Sequence, residues 1–236
     1  MLEAVRITLA AYTASFRVPS FLSYQLTLSV PPISTIFGLL SAAAGRWVLP
    51  DDLPWLAFRC TYQARARDLE AIVTVQRDNA DASARFTGRN VIQREFLLEP
   101  RVTLYLPPDW GERFRRPRHT LVLGRSQDVA TVESLSSITL WPVESGTLSG
   151  VLLPFDVVAR ESVGAVLHNL PIAFTPDPDR KPIGMQIFAV VDGQREVTLH
   201  NAAEWLYRDH QTEIVVPVFR RAWMRDASPR AASEIE

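Results

Sequence analysis

The residues with the clearest potential for chemistry gather around the start of one predicted helix near the N-terminus. Arg17, Tyr24 and Gln25 lie in the segment before it, and Ser34 and Thr35 lie at its first turn. A helix N-terminus has free backbone N–H groups and the positive end of the helix dipole, which together attract anions. Guanidinium, hydroxyl and amide groups beside it can hold a phosphate or an unstacked base. We therefore predict an RNA-binding site here, with the alternative that Ser34 serves only as the N-cap.

A second group of candidates lies in the polar segment 77–94, between two long strand-like runs. It places Arg85, Arg89 and Arg94 around Phe86. The segment has no periodic apolar pattern, so we predict that it is the tip of a protruding hairpin. A basic tip with one aromatic ring can stack on a nucleotide, whereas the competing interpretation is a solvated loop.

A third candidate is the tripeptide Gly124-Arg125-Ser126, which follows a short apolar run. Glycine lets the backbone approach a ligand closely, and the neighbouring donors suit a phosphate. We include Arg125 and Ser126 among the predicted RNA contacts. By itself the tripeptide is also typical of a turn.

The sequence offers little for catalysis or for metal binding. The four histidines include no pair at the i, i+4 spacing of a helical zinc site, and no nucleophile-elbow or Walker-type glycine motif occurs. Cys60 is the only cysteine, so neither a thiolate cluster nor an internal disulfide can form. We predict no metal, no cofactor and no catalytic residue. The one acid–base candidate is His119, which follows the Arg-rich run 113–118.

Charge is divided unevenly along the chain. The net charge is −1 over 236 residues, but residues 1–126 hold 16 Arg and 11 acidic residues, and residues 127–236 have a net charge of −6. A basic half indicates contact with a polyanion, and a chance distribution is the alternative. Lys181 is the only lysine, a bias that we attribute to genome composition. No apolar run reaches the roughly 20 residues that span a bilayer, and no signal pattern is present, so we expect a cytoplasmic protein without membrane contact.

The periodicity of apolar residues predicts both strands and helices around these candidate residues. The predicted order is strand Val5–Leu9, helix Thr35–Ala44 ending at Gly45, strand Trp55–Val75, strand Phe96–Leu106, a short helix after Pro107, and strand Leu121–Leu123. This βαββαβ order predicts an α+β protein with a ferredoxin-like (RRM-like) domain over residues 1–130 and a protruding hairpin. A smaller β-rich C-terminal domain follows over residues 131–225, and residues 226–236 form a tail.

Four stretches of the chain are similar to the fifth family of CRISPR-associated (Cas) proteins, in the repeat-associated RNA-binding superfamily. The nearest form is the subunit of the type I-B Cascade complex. The stretches are ASFRVP at 14–19, PPISTIFGLLS at 31–41, QREFL at 93–97 and LGRSQD at 123–128. They occur in the family's order, and the first two together are specific to it. The C-terminal third resembles the family only in being strand-rich.

The resemblance implies a non-catalytic subunit of a type I CRISPR surveillance complex in antiviral defence. Such a subunit binds and caps the 5′ handle of the CRISPR RNA, contacts the backbone subunit and the large subunit, and meets target DNA only through the complex. The hairpin at about residues 77–94 would be the thumb that bends the RNA. The implied contacts are Arg17, Tyr24, Gln25, Ser34, Thr35, Arg94, Arg125 and Ser126, with Arg85 and Arg89 on the thumb.

Two other functions stay open on the sequence. One branch of the family, the type I-C form, cleaves its RNA with a Tyr, a Lys and a His, so a metal-independent CRISPR RNA endoribonuclease acting through His119 is one alternative. The chain has Arg118 where the lysine would be sought, and arginine is a poor proton donor. That departure argues against cleavage and implies a separate processing endonuclease. The other alternative is a protein-interaction subunit that does not bind RNA and whose excess of arginine reflects composition alone.

Overall fold

A computed structural model describes residues 1–19, 24–77, 84–161 and 163–226 of the chain. This part is a strand-rich α/β structure with few helices, in agreement with the mixed class predicted from the sequence. The predicted C-terminal tail lies almost wholly outside these ranges. No helix within them combines the length and the apolar character needed to cross a membrane.

The elements are numbered in chain order. The strands are β1 Leu2–Ala11, β2 Thr13–Ala14, β3 Phe16–Arg17, β4 Tyr24–Gln25, β5 Thr27–Leu28, β6 Trp55–Thr61, β7 Ala64–Arg77, β8 Ala84–Leu98, β9 Arg101–Leu106, β10 Ala130–Pro142, β11 Gly146–Leu148, β12 Val151–Pro154, β13 Val166–Phe174, β14 Pro182–Val191, β15 Val197–Leu199, β16 Leu206–Asp209 and β17 Val215–Arg220. The helices are α1 Ile33–Ala44, α2 Trp110–Arg115, α3 Phe155–Glu161 and α4 Arg221–Asp226, with a short 3₁₀ turn at Pro50–Asp52.

Six strands close into a barrel in the order β1-β10-β16-β17-β6-β9. Every neighbouring pair in it is antiparallel. The first strand, β1, pairs with β10 on one side and with β9 on the other. Its alternation buries Val5, Ile7 and Leu9 in the core, as the sequence predicts for a strand with one buried face.

The β7–β8 hairpin is longer than the sequence indicates. The run Trp55–Val75 is divided between β6 and β7, and residues 84–94, predicted as part of a polar tip, are paired strand. That part of the prediction is wrong because the outer hairpin, residues 69–75 and 86–91, has no buried residue on either face, so no apolar period is required of it. Residues 78–83 lie outside the described part of the chain.

The predicted strand Leu121–Leu123 is also wrong. Within it only Val122 pairs, in an isolated bridge with Val129. Leu121 and Leu123 are buried, and this burial in a loop, rather than strand pairing, explains the apolar run. The strand that pairs with β1 at this point of the chain is β10.

Helix α1 begins two residues closer to the prolines than predicted. Its N-cap is Pro32, without a side-chain hydrogen bond to the cap, so the prediction of Ser34 as N-cap is wrong and Ser34 lies in the first turn. Proline takes this position because its φ is already suited to the helix entry. The helix ends as predicted at Gly45, which has a φ of 70° and donates its N–H to the carbonyl of Ser41.

The C-terminal strands share the core of the N-terminal ones. Strands β12, β14 and β13 form a three-stranded sheet in that order, and β13 packs against α1. Leu104 and Phe188, which lie on either side of the predicted domain boundary, belong to the same hydrophobic cluster. The predicted boundary between residues 130 and 131 lies at the first residue of β10, and the barrel uses strands from both sides of it. The division into two domains stays a prediction.

The barrel contains a buried ion pair that should make its stability depend on pH. Asp209 is fully buried, and its carboxylate accepts hydrogen bonds from Arg6 Nη1 at 2.6 Å and from the N–H of Gln211 at 2.9 Å. Burial alone would raise the pKa of Asp209, but these hydrogen bonds outweigh it and hold the pKa below its ordinary value of 3.8. A depressed pKa contributes stability above that ordinary value, and the contribution is lost as the pH falls through the folded-state pKa.

We expect Asp209→Asn to lower the free energy of unfolding at neutral pH by about 3 kcal/mol, because Arg6 is left without its buried partner. The variant should then lose less stability than the wild type between neutral and acidic pH. Urea denaturation across that pH range measures both effects. Glu133→Gln, which alters an exposed pair with Arg101, is the control and should follow the wild type. Parallel curves for Asp209→Asn and the wild type would contradict this assignment.

Candidate RNA-binding surface

The segment before α1, the first turn of α1 and the Gly124 loop meet around one open cavity of about 440 Å³, which we name the α1 cavity. Its polar side includes Arg17, Ser34 and Thr35, so three of the predicted residues come together. A cavity of this size with an apolar wall and a few polar groups is typical of ligand sites. The apolar wall was not predicted; it is formed by β13 and β14 through Leu170, Pro171, Phe174, Pro182 and Met185.

The exposure of Arg17 follows from the burial of its neighbours. Strand β3 pairs with β5, with Phe16 opposite Leu28 and Arg17 opposite Thr27. The N–H of Phe16 donates to Thr27 Oγ1 at 2.9 Å. Phe16 and Val18 are buried, and because side chains alternate along an extended chain, Arg17 between them points outward.

Gly124 brings its loop against the segment that carries Arg17. It has a φ of 102°, and a Cβ at this position would lie 2.1 Å from the carbonyl oxygen of Ser15. Only glycine combines that conformation with so close an approach. The N–H of Ser15 also donates to the carbonyl of Leu123, so the loop is fixed at the edge of the α1 cavity.

Arg125 is engaged inside the fold and is not among the residues that line the α1 cavity. Its Nε and Nη2 donate to the two carboxylate oxygens of Asp128 at 2.9 and 2.8 Å, and its guanidinium lies over the ring of Phe96. Asp128 is buried and also accepts from Thr13 Oγ1 at 2.6 Å. Burial alone would raise the pKa of Asp128, but the hydrogen bonds from Arg125 and Thr13 hold it below its ordinary value. The neighbouring Ser126 is exposed.

The base of the hairpin is fixed by a second buried carboxylate. Glu95 on β8 accepts the N–H of Thr27 at 3.2 Å, and its carboxylate lies 3.5 Å from Arg65 Nη1 and 4.0 Å from Arg67 Nε. Glu95 itself is buried. Because Thr27 belongs to β5, which pairs with β3, this carboxylate ties the hairpin to the strand that presents Arg17.

The same hairpin base is also tied to the C-terminal sheet. Arg65 Nη2 donates to Asp192 Oδ2 at 2.7 Å, directly after β14, and the hydroxyl of Tyr62 donates to that carboxylate as well. Burial alone would raise the pKa of Asp192, but hydrogen bonds from the N–H of Gln194, from Tyr62 and from Arg65 hold it below its ordinary value. No local pattern in the sequence signals this pairing, which joins residues 127 positions apart.

Strand β4 carries two predicted contacts beside the hairpin. It pairs in parallel with β8, with Tyr24 opposite Gln93 and Gln25 opposite Arg94. The ring of Tyr24 lies under the guanidinium of Arg67, 5.6 Å from it. Gln25 is 7% exposed, so its side chain belongs to the packing rather than to the surface.

The predicted thumb arginines do not share one face of the hairpin. Arg94 forms an ion pair with Glu70 and is mostly buried. Arg89 lies opposite Val73, whereas Arg94 lies opposite Asp68, so the two arginines point to opposite faces. The side chain of Arg85 lies outside what the structure describes.

One face of the outer hairpin is apolar and open to solvent. Arg89 is the charged residue in this row, and a contiguous exposed patch of this kind is typical of an interaction surface. Its apolar members are each more than half exposed: Leu69, Val73, Val75, Phe86 and Val91.

Gly124→Ala tests the close approach that fixes the cavity edge. The substitution adds a Cβ against the Ser15 carbonyl at a positive φ, so we expect the free energy of unfolding to fall by at least about 2 kcal/mol. Gly38→Ala is the matched control, because a Cβ there meets nothing within 4 Å in a helix, and it should raise stability by up to about 1 kcal/mol. Chemical denaturation measures both; equal stability of Gly124→Ala and the wild type would refute the close approach.

No family model and no curated protein sequence matches the chain. Solved structures share its fold. A chain of a "CRISPR RNA-guided surveillance complex" is similar over 84% of this chain and 91% of that chain, with a TM-score of 0.51 and 16% identity. A chain of the type III-B Cmr-β complex bound to cognate target RNA and AMPPnP is similar over 80% and 84%, with a TM-score of 0.52 and 10% identity.

A CRISPR protein from Archaeoglobus fulgidus is similar over 93% of this chain and 100% of its own, with a TM-score of 0.50 and 8% identity. At identities this low the likeness concerns the fold. The chain therefore has a fold shared with CRISPR-associated proteins, and the resemblance found in the sequence is confirmed as far as the fold.

Proposed function

We propose that this chain is a non-catalytic RNA-binding subunit of a type I CRISPR surveillance complex, of the type I-B form, and that it holds the 5′ handle of the CRISPR RNA at the α1 cavity. The observation that carries the proposal is the meeting of Arg17, Ser34 and Thr35 at the N-terminus of α1. These residues come from the two stretches most specific to the resembling family. A helix N-terminus with a guanidinium and two hydroxyls suits a phosphate.

The connectivity supports a ferredoxin-like core. Strands β10, β1, β9 and β6 are adjacent in that order, α1 lies between β1 and β6 in the chain, and α2 lies between β9 and β10. The β7–β8 hairpin is inserted between β6 and β9, which is where a thumb would emerge. In this interpretation β16 and β17 are additions that close the barrel.

Exposure to solvent assigns different roles to the predicted arginines. Arg17 is exposed at the α1 cavity, and Arg89 is exposed beside the apolar face of the hairpin, so we assign RNA contact to these two. Arg94 and Arg125 are each paired with a carboxylate, so we assign them the positioning of the hairpin and of the Gly124 loop. The apolar face of the hairpin is then available to the backbone subunit or the large subunit of the complex.

The placement of His119 supports a subunit that does not cleave RNA. The backbone N–H of His119 bonds to the carbonyl of Ala42, at the C-terminal end of α1. Ala42 lies seven residues beyond Thr35 in this helix, so it is about 10 Å along the helix axis from the α1 cavity. The only lysine, Lys181, lies in the loop between β13 and β14 and is not among the cavity residues. A separate endonuclease would then supply the processed RNA.

Arg17→Ala tests the phosphate contact. We expect the affinity of the full chain for single-stranded RNA with the repeat-derived 5′ end to fall about tenfold, because a charge-assisted hydrogen bond is lost. The slope of log affinity against log salt should become flatter by about 0.7. Arg208→Ala, which removes an exposed arginine from β16, is the control and should change neither quantity. An unchanged slope for Arg17→Ala would favour a protein-interaction subunit.

Incubation of the purified chain with repeat RNA, without added metal, tests the absence of catalysis. We expect the RNA to remain intact with the wild type and with His119→Ala alike. A cleavage product that forms without metal and is lost in His119→Ala would replace the proposed function with that of an endoribonuclease.

A further inference from the structure

The α1 cavity continues into a second cavity of about 240 Å³ along the same helix. Ser34 and Phe174 line both cavities, so the two are neighbours between α1 and β13, and we name them together the groove. The second cavity is completed by residues of α1, of the segment after it and of the loop between β13 and β14: Phe37, Gly38, Ser41, Trp47, Val48 and Arg180.

The second cavity contains an aromatic ring held in a fixed orientation. Trp47 is 37% exposed, and its indole N–H donates to the carbonyl of Phe174 at 2.9 Å. This bond anchors the ring to the end of β13 while part of the ring stays open to solvent. Gly38 leaves open space on the adjacent helix surface, where a Cβ would meet nothing within 4 Å.

A guanidinium lies over part of this ring. The Cζ atom of Arg180 is 5.6 Å from the centre of the Trp47 ring, in a cation–π contact, and no carboxylate of the described ranges lies within ion-pair distance of Arg180. Arg180 has a φ of 42°, an uncommon value for an arginine, in a turn closed by its N–H bond to the carbonyl of Asp177. Such a conformation persists only where its surroundings impose it, and it is frequent at binding sites.

We propose that the second cavity binds one unstacked nucleotide of single-stranded RNA, with its base stacked on the part of the Trp47 ring that is open to solvent and its phosphate beside Arg180. This inference rests on the proposed function, because it requires that the same RNA strand enters the α1 cavity. An indole offers every base a stacking surface, and a guanidinium without a carboxylate partner suits a phosphate. The shared residues Ser34 and Phe174 make the two sites adjacent, as consecutive nucleotides require.

Stacking, rather than long-range attraction, is the main contribution. The loop between β13 and β14 carries Asp177 and Asp179 as well as Arg180 and Lys181, so its net charge is zero. A loop of this composition does not attract RNA from a distance. Substitution of the ring should therefore weaken binding more than substitution of the guanidinium does.

Two exposed tryptophans form a matched pair for the test. Trp47 lies in the groove, whereas Trp141 is 51% exposed on β10 and is not among the groove residues. We expect titration of the full chain with single-stranded RNA of the repeat-derived 5′ sequence to quench tryptophan emission in the wild type and in Trp141→Phe. Most of this quenching should be lost in Trp47→Phe, because the stacked fluorophore is then absent.

The affinities measured in the same titrations give a second readout. Trp47→Ala should weaken RNA binding about tenfold, while Trp141→Ala should leave it unchanged. Arg180→Gln replaces the exposed guanidinium with a shorter, neutral polar group, so it should fold normally and weaken binding severalfold. Denaturation curves identify any variant whose loss of binding comes from unfolding, in which case Trp47→Phe and Arg180→Gln decide the question.

The outcomes separate the two proposals. Wild-type affinity in Trp47→Ala and Arg180→Gln, with full quenching retained in Trp47→Phe, would overturn the second nucleotide site and leave handle binding at Arg17 intact. If the wild type does not bind this RNA, both proposals are overturned.

Discussion

The placement of the candidate site depends on one buried carboxylate, that of Glu95. A buried charge is tolerated only when it is paired and hydrogen-bonded, so the N–H of Thr27 and the guanidinium groups of Arg65 and Arg67 must stay around it. The carboxylate belongs to the hairpin, and Thr27 belongs to the strand that pairs with the one carrying Arg17. The direction in which Arg17 points is therefore coupled to the direction in which the hairpin leaves the barrel.

Pairing with carboxylates also neutralises several arginines of the N-terminal half. The number of arginines in that half is therefore larger than the number whose charge is uncompensated. Buried Asp128 and Asp209 engage Arg125 and Arg6, and Glu70 engages Arg94. These arginines hold loops and strands in place, and their charge is compensated where they lie. The net charge of +5 over residues 1–126 is thus a poor guide to which arginines are exposed. The exposure and ion pairing of each arginine exclude more of the predicted contact residues than the net charge does.

The sequence predicts those elements in which one face is buried. The apolar alternation in β1 and the helical spacing in α1 can be recognised in the sequence for this reason. Gly45 marks the end of the helix because glycine readily adopts the left-handed conformation that the chain takes there. The outer hairpin has no buried face and therefore no period. Leu121 and Leu123 are buried without forming a strand, so their apolar pattern misleads. Pairs such as Arg65 with Asp192 join distant positions, and no local pattern indicates them.

The groove also shows why the C-terminal half matters, although its sequence resembles the family so weakly. Arg17 and the first turn of α1 offer polar groups, which suit phosphates, but a nucleobase also needs an apolar or aromatic surface. The C-terminal sheet supplies that surface through Phe174 and Met185, and it anchors Trp47. Because this contribution is apolar, the net negative charge of the C-terminal half does not oppose it. RNA binding at the groove would then depend on both halves of the chain. The N-terminal half would provide the polar wall that suits a phosphate, and the C-terminal half would provide the apolar wall that suits a base.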